Sequence, residues 1–196
     1  MAQGRQAKIL TDHQIARMLE HVETSSRYPA RDKVIVLLSV RAGLRAKEIA
    51  RVTWSMVLDA DGHVGDALEL HDKASKGKKG GRTIPLHRQL RAALQAWHAE
   101  LKPERSARVA WGERDGTMRP DSVQIFFGRL YAALGLRGCS SHSGRRTFVT
   151  ALAKKIVSAG GSLRDVQQLA GHVSLATTQR YIEGSSEAKR KAIDLL

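Results

Sequence analysis

The sequence predicts a mainly α-helical fold with a small antiparallel β-sheet, an α+β arrangement. Three observations carry that expectation. Apolar residues recur at helical spacing behind recognisable caps along most of the 196 residues. A single pair of short segments, "ALELHD" and "RTIPL", flanks a basic glycine-rich turn and reads as one hairpin. The longest apolar run, "VIVLLSV" at residues 34–40, has the length of a buried helix and falls well short of the roughly 18 residues of a membrane span.

The elements follow in order. Thr11 and Gln14 stand at capping-box spacing before Ile15, Met18, Leu19 and Val22, which announces the first helix. Pro29 suits the first turn of a second helix that runs to Gly43. "RAKEIARV" is a short third helix and "TWSMV" a connector. In the hairpin, Gly77, Gly80 and Gly81 supply backbone freedom. Leu90, Leu94 and Trp97 share a face of a helix over about 87–101, and "RVAW" suggests a short strand in the polar loop beyond it. Helices are expected near 121–134 and 145–157, the latter with Phe148, Val149 and Leu152 facing a core. Ser162, with Asp165 in the capping-box position, starts "SLRDVQQLAG"; Ser174 starts a last helix expected to end at Gly184. With no internal repeat and no long linker, residues 1–196 read as a single domain with a polar, basic tail.

Composition narrows the function. Lys and Arg number 33 against 19 Asp and Glu, a formal net charge of +14. Such an excess concentrates polyanions and gains affinity by releasing counterions from phosphates. The other reading is a basic surface that serves solubility or an acidic protein partner. Aromatics make up 5%, which disfavours single-strand binding by base stacking and favours duplex backbone contact. One cysteine, Cys139, excludes an internal disulfide and a cysteine-cluster metal site. "MAQGRQAKIL" lacks an apolar signal region, so a cytoplasmic protein away from membranes is expected.

Four segments place unusual polar residues beside apolar helix faces. In "RAGLRAKEI", Arg45 opens a helix with Glu48 one turn on, where a carboxylate can orient a guanidinium towards a phosphate; alone, the pair is an ordinary surface ion pair. "HDKASKGKKGGRTIPL" is a lysine-rich hairpin tip, which solvates a turn, touches phosphate or delivers one lysine as a proton donor; it is not a Walker A loop. In "SSHSGRRTFVTAL", His142 and Arg145 are three residues apart at a helix start, which puts an imidazole and a guanidinium on one face. In "LAGHVSLATTQRYIEG", His172 precedes Tyr181 by nine residues; taken singly, they read as a helix-terminal histidine and a core aromatic.

In that order the segments resemble the catalytic domain of the tyrosine recombinases, the phage integrase family. "AGLRAKEI" is similar to the family's first arginine box, "SKGKKGGRTIPL" to its lysine hairpin, "HSGRRTF" to its His-x-x-Arg box and "LAGHVSLATTQRY" to its Gly-His…Thr…Tyr box. The resemblance covers about 11–184, with 1–10 and 185–196 as tails, and implies the family's catalytic-domain fold without its N-terminal core-binding domain. It implies Tyr181 as nucleophile, Arg45 and Arg145 as clamps on the phosphoryl oxygens, Lys76 as general acid, His142 and His172 as hydrogen-bonding or proton-transfer groups, and Glu48 as their support. Lys78, and after it Lys73 or Lys79, are the alternatives to Lys76, because the hairpin carries one residue more than the common pattern. The resemblance also implies Lys73, Lys78, Lys79, Arg82 and Arg146 as further DNA contacts. Gly144 stands where many members carry leucine. The implied activity is site-specific recombination or integration through a 3′-phosphotyrosyl link, with no metal, ATP or other cofactor. The implied partners are double-stranded DNA and a homo-tetramer assembled on it, with accessory DNA-bending proteins left open, and the place is the nucleoid of a bacterium, phage or mobile element. The competing expectations are a type IB topoisomerase-like relaxing activity and a non-catalytic DNA-binding regulator. A metal-dependent nuclease is disfavoured by the lack of paired-carboxylate or histidine-cluster spacing.

Overall fold

The computed structural model describes residues 7–71, 81–113, 116–181 and 193. Eight helices and one two-stranded antiparallel sheet make up the regular structure of those residues. The chain divides into two compact units, Met1–Phe148 and Val149–Leu196, and the boundary falls inside one helix.

In the first unit, α1 (Asp12–Ser25) begins with the expected capping box: Gln14 N–H donates to Thr11 Oγ1 and Thr11 N–H to Gln14 Oε1. Its stripe of Ile15, Met18, Leu19 and Val22 is buried. The next helix, α2 (Pro29–Arg41), takes Pro29 in its first turn, where the missing N–H costs nothing. Residues 34–38 are apolar without a break, and all are fully buried. A helix apolar on every side belongs at the centre of a core, and α2 packs against both α1 and α4 (Arg88–Leu101). Helix α4 buries Leu90, Ala93, Leu94 and Trp97, and Trp97 Nε1 donates to the Val109 carbonyl at 3.0 Å.

Gly43 ends α2. Its φ of +65° suits a residue without Cβ, and an added Cβ would lie 2.3 Å from Phe148 Cδ1. The chain can therefore turn sharply there and let Phe148 pack close. Helix α3 (Ala46–Ile49) is one turn long and packs against α5 (Pro120–Ala133). A 3-10 turn at Trp54–Met56 replaces the connector. The hairpin forms as expected, β1 (Ala67–Leu70) pairing with β2 (Arg82–Pro85) in the register Leu70↔Arg82. "RVAW" is not a strand: only an isolated bridge, Thr53↔Arg108, forms there.

Helix α6 (Ser143–Lys155) crosses from the first unit to the second and buries Val149, while Phe148 and Leu152 are half-buried. The second unit continues with α7 (Leu163–Ala170) and α8 (Leu175–Gln179), which pack against each other. Asp165 accepts from both the N–H and the hydroxyl of Ser162, at 2.7 and 2.8 Å, which confirms the cap read from the sequence. None of the described helices is long and apolar enough to cross a membrane.

Candidate active site

The first cluster grows from the turn after α2. Arg45 occupies the N-cap of α3 rather than its first turn, and its backbone N–H donates to Glu48 Oε2 at 2.8 Å. Glu48 Oε1 accepts from Arg45 Nη1 at 3.1 Å and from Arg82 Nη1 at 3.0 Å. Glu48 is 1% exposed, so the expected surface pair is a buried carboxylate bridging two arginines. Burial alone pushes the Glu48 carboxyl up. The hydrogen bond and charge of Arg82, and then those of Arg45, outweigh this and hold it below the usual carboxylate range. Arg82 reaches Glu48 because it opens β2, and its side chain is 10% exposed. Its Nε and Nη2 are buried and have no hydrogen-bond partner.

The start of α6 supplies the next pair. Arg145 is 3% exposed, and its Nη1 donates to the Gly43 carbonyl at 2.7 Å, two residues from Arg45. His142 is exposed, and its N–H donates to Ser140 Oγ. Arg146 N–H closes the first turn on the His142 carbonyl, and Arg146 Nη1 donates to the Ala7 carbonyl at 3.0 Å. Gly144 has no room for a side chain: a Cβ there would meet Ser39 Oγ at 2.2 Å and Val40 Cγ1 at 3.1 Å. The leucine of many family members would not fit against this α2.

The second unit holds the other cluster. Gly171 takes the left-handed conformation at the end of α7, with φ +62°. The His172 N–H then donates to the Gln167 carbonyl, and Gln167 Nε2 donates to the His172 carbonyl, both at 3.0 Å. Arg164 Nη1 holds the other end of the Gln167 amide at 2.8 Å. The His172 ring is 8% exposed; its Nδ1 lies 2.9 Å from Thr178 Oγ1, and its plane stacks on Tyr181 with centroids 5.3 Å apart and 22° between planes. Tyr181 is half-buried, and Thr150 Oγ1 donates to its carbonyl at 3.4 Å.

Helix α8 is shorter than expected. It stops at Gln179, and Tyr181 stands in the turn beyond, its N–H bonded to the Thr178 carbonyl at 3.0 Å. That three-residue closure tightens the chain, and the β-branched Thr177 and Thr178 weaken helix continuation. Of the candidate residues, Arg45, Glu48 and Arg82 come together in one unit, and His172 and Tyr181 in the other. Lys73, Lys76, Lys78 and Lys79 lie outside the described residues, as does the expected helix end at Gly184. Sequence reasoning passed over Thr178 and Gln167 as members of the site. The threonine was visible in the Gly-His…Thr…Tyr spacing, while Gln167 gave no signal.

Comparison with known proteins covers both units. The profile of the phage integrase family matches residues 8–187. The chain is 30% identical over 175 residues to the tyrosine recombinase XerC of Xanthomonas campestris pv. campestris (strain B100), an alignment covering 89% of this chain and 50% of that protein. It is 33% identical over 163 residues to the XerC of Nitrobacter winogradskyi, covering 81% and 47%. The chain thus spans about half the length of the curated relatives it matches. Among solved structures, the Tn1549 transposon integrase in complex with transposon right end DNA superposes with a TM-score of 0.73 at 21% identity, over 100% of this chain and 68% of that one. The XerH site-specific recombinase bound to a palindromic difH substrate superposes with a TM-score of 0.74 at 20% identity, over 98% and 54%. These likenesses establish the fold as that of tyrosine recombinase catalytic domains.

Proposed function

The chain belongs to the phage integrase family, and from that premise we propose that it cuts and rejoins duplex DNA at specific sites through a covalent link to Tyr181. The Tyr181 oxygen attacks a scissile phosphate, forming a P–O bond, and the bond from phosphorus to the 5′-oxygen breaks. The phenolic proton leaves to a nearby base, and Lys76 gives a proton to the departing 5′-oxygen. The 3′-phosphotyrosyl link keeps the energy of the broken bond, so the reverse attack by a 5′-hydroxyl needs no ATP. Arg45 and Arg145 neutralise the charge that gathers on the phosphoryl oxygens, a task for which planar, always-protonated guanidinium groups are suited. Glu48 holds Arg45, and His142 and His172 hydrogen-bond phosphoryl oxygens or relay protons.

The observation that carries this reading is the ring pair of His172 and Tyr181. An aromatic residue that served only the core would not need an imidazole stacked on it with one nitrogen already committed. Around this centre, double-stranded DNA is the substrate, met through Arg146 and the hairpin residues Lys73, Lys78 and Lys79, while Arg82, expected as a DNA contact, is buried against Glu48 and supports it instead. Residues 1–196 act as one catalytic domain, assembled as a homo-tetramer on DNA with or without accessory bending proteins, in the cytoplasm. With a formal charge of +14, affinity should fall steeply as salt rises.

Trapping on nicked duplex DNA tests the proposal. The chain should form an EDTA-resistant protein–DNA adduct, and Tyr181→Phe should abolish it. An adduct that survives in Tyr181→Phe would remove the nucleophile assignment. Relaxation of supercoils without exchange between two sites would instead mark a topoisomerase-like enzyme.

A further inference from the structure

Thr178 touches both members of the ring pair. Its hydroxyl lies 2.9 Å from His172 Nδ1, and its carbonyl accepts the Tyr181 N–H at 3.0 Å. We propose that Thr178 is a positioning residue for the nucleophile, its hydrogen bond with Nδ1 of His172 keeping the imidazole face-on to Tyr181. The proposal rests on the reading of Tyr181 as the attacking group.

The surroundings favour this role over filling space. Thr178 is fully buried, so no water competes for its hydroxyl, and a buried hydroxyl needs a partner. The backbone of His172 is already held on both sides by Gln167, through its N–H and through its carbonyl. The ring is held separately from the backbone, and the hydrogen bond between Nδ1 and Thr178 restrains its orientation. A misplacement of about 1 Å in such a group slows a reaction by about 10²-fold. One bond from a neutral side chain is therefore enough to matter kinetically.

Two variants of the full chain separate this role from simple packing. Thr178→Val keeps the shape and loses the hydroxyl; Thr178→Ser keeps the hydroxyl and loses a methyl group. Nitrogen-15 NMR of the His172 ring reads whether Nδ1 stays hydrogen-bonded, without any need for activity, and adduct formation on nicked DNA reads the consequence. The wild type and Thr178→Ser should show the same hydrogen-bonded Nδ1 signal. Thr178→Val should show a shifted or broadened Nδ1 signal and an adduct rate about 10²-fold lower, which Thr178→Ser largely restores. An unchanged Nδ1 signal and an unchanged rate in Thr178→Val would overturn the proposal, as would a loss in Thr178→Ser equal to that in Thr178→Val. If the wild type forms no adduct at all, the reading of Tyr181 fails, while the NMR comparison still decides whether Thr178 holds the ring. Thermal melts of both variants show whether each is folded.

Discussion

The two clusters hold their polar groups by opposite means. Around Glu48, one buried carboxylate is shared by Arg45 and Arg82, and the geometry is kept by charge. Around His172, a threonine hydroxyl, a glutamine amide and an aromatic face contact the residue directly, and the Arg164 guanidinium acts one step away through Gln167. The difference suits the proposed roles. Groups that stabilise a doubly charged transition state must stay cationic, and a fixed carboxylate orients them at the risk of drawing charge away. A phenol is a weak nucleophile at neutral pH, and it needs a base or nearby positive charge as it ionises, which the proposed phosphate clamps would bring.

Removing the shared carboxylate should give the largest effect. Glu48→Gln leaves Arg45 and Arg82 without their counter-charge, and Arg82 is nearly shut off from water. Breaking a buried pair by losing one partner costs about 3–5 kcal/mol. Urea unfolding should show that loss, and adduct formation should drop with it. A change below about 1 kcal/mol would mean that the cluster behaves as a surface ion pair and that the contrast with the ring cluster is false.

Acid should loosen the carboxylate cluster. Glu48 is held below the ordinary carboxylate range, so its contribution to stability is fully present above the unfolded value of about 4.3 and is lost as pH falls through the lower folded value. Arg82 is the stronger of the two arginines in lowering it, against a burial that raises it. In Arg82→Gln the balance tilts back towards burial, the folded value rises, and the acid limb of a melting-temperature profile should move to higher pH. An unmoved limb would place the lowering elsewhere.

How far the sequence reached follows the same division between local and distant partners. The Thr11 and Ser162 caps, Pro29 and the hairpin were legible because each depends on residues a few positions apart. The pairing of Arg82 with Glu48 was not, since the two are 34 positions apart and meet only because β2 returns beside α3. Reading α8 on past Gln179 missed the turn at residues 180–181 for a related reason. Helical spacing describes the apolar stripe, but the chain tightens after Gln179, where Thr178 is engaged with His172 and Tyr181. Motif order pointed to Arg45, Arg145, His172 and Tyr181 as candidates, and the contacts around them came from the fold.

Two buried hydroxyls give the finest test of the contrast. Thr178 is bonded to His172, whereas Ser39, on α2 beneath Gly144, is buried with no hydrogen-bond partner. Truncating a partnered hydroxyl leaves the other group unsatisfied, at about 1–3 kcal/mol, and Thr178→Val should be destabilised by that amount. Truncating an unpartnered hydroxyl removes a group whose desolvation was never offset, so Ser39→Ala should be neutral or stabilised by up to about 1 kcal/mol. It should also widen the space over Gly144, so that Gly144→Ala, which should cost about 1–3 kcal/mol through overpacking, is better tolerated in the Ser39→Ala background. Denaturant midpoints of the single and double variants measure each term. If Ser39→Ala costs as much as Thr178→Val, the Ser39 hydroxyl has a partner in solution, and the two clusters differ less than their geometry implies.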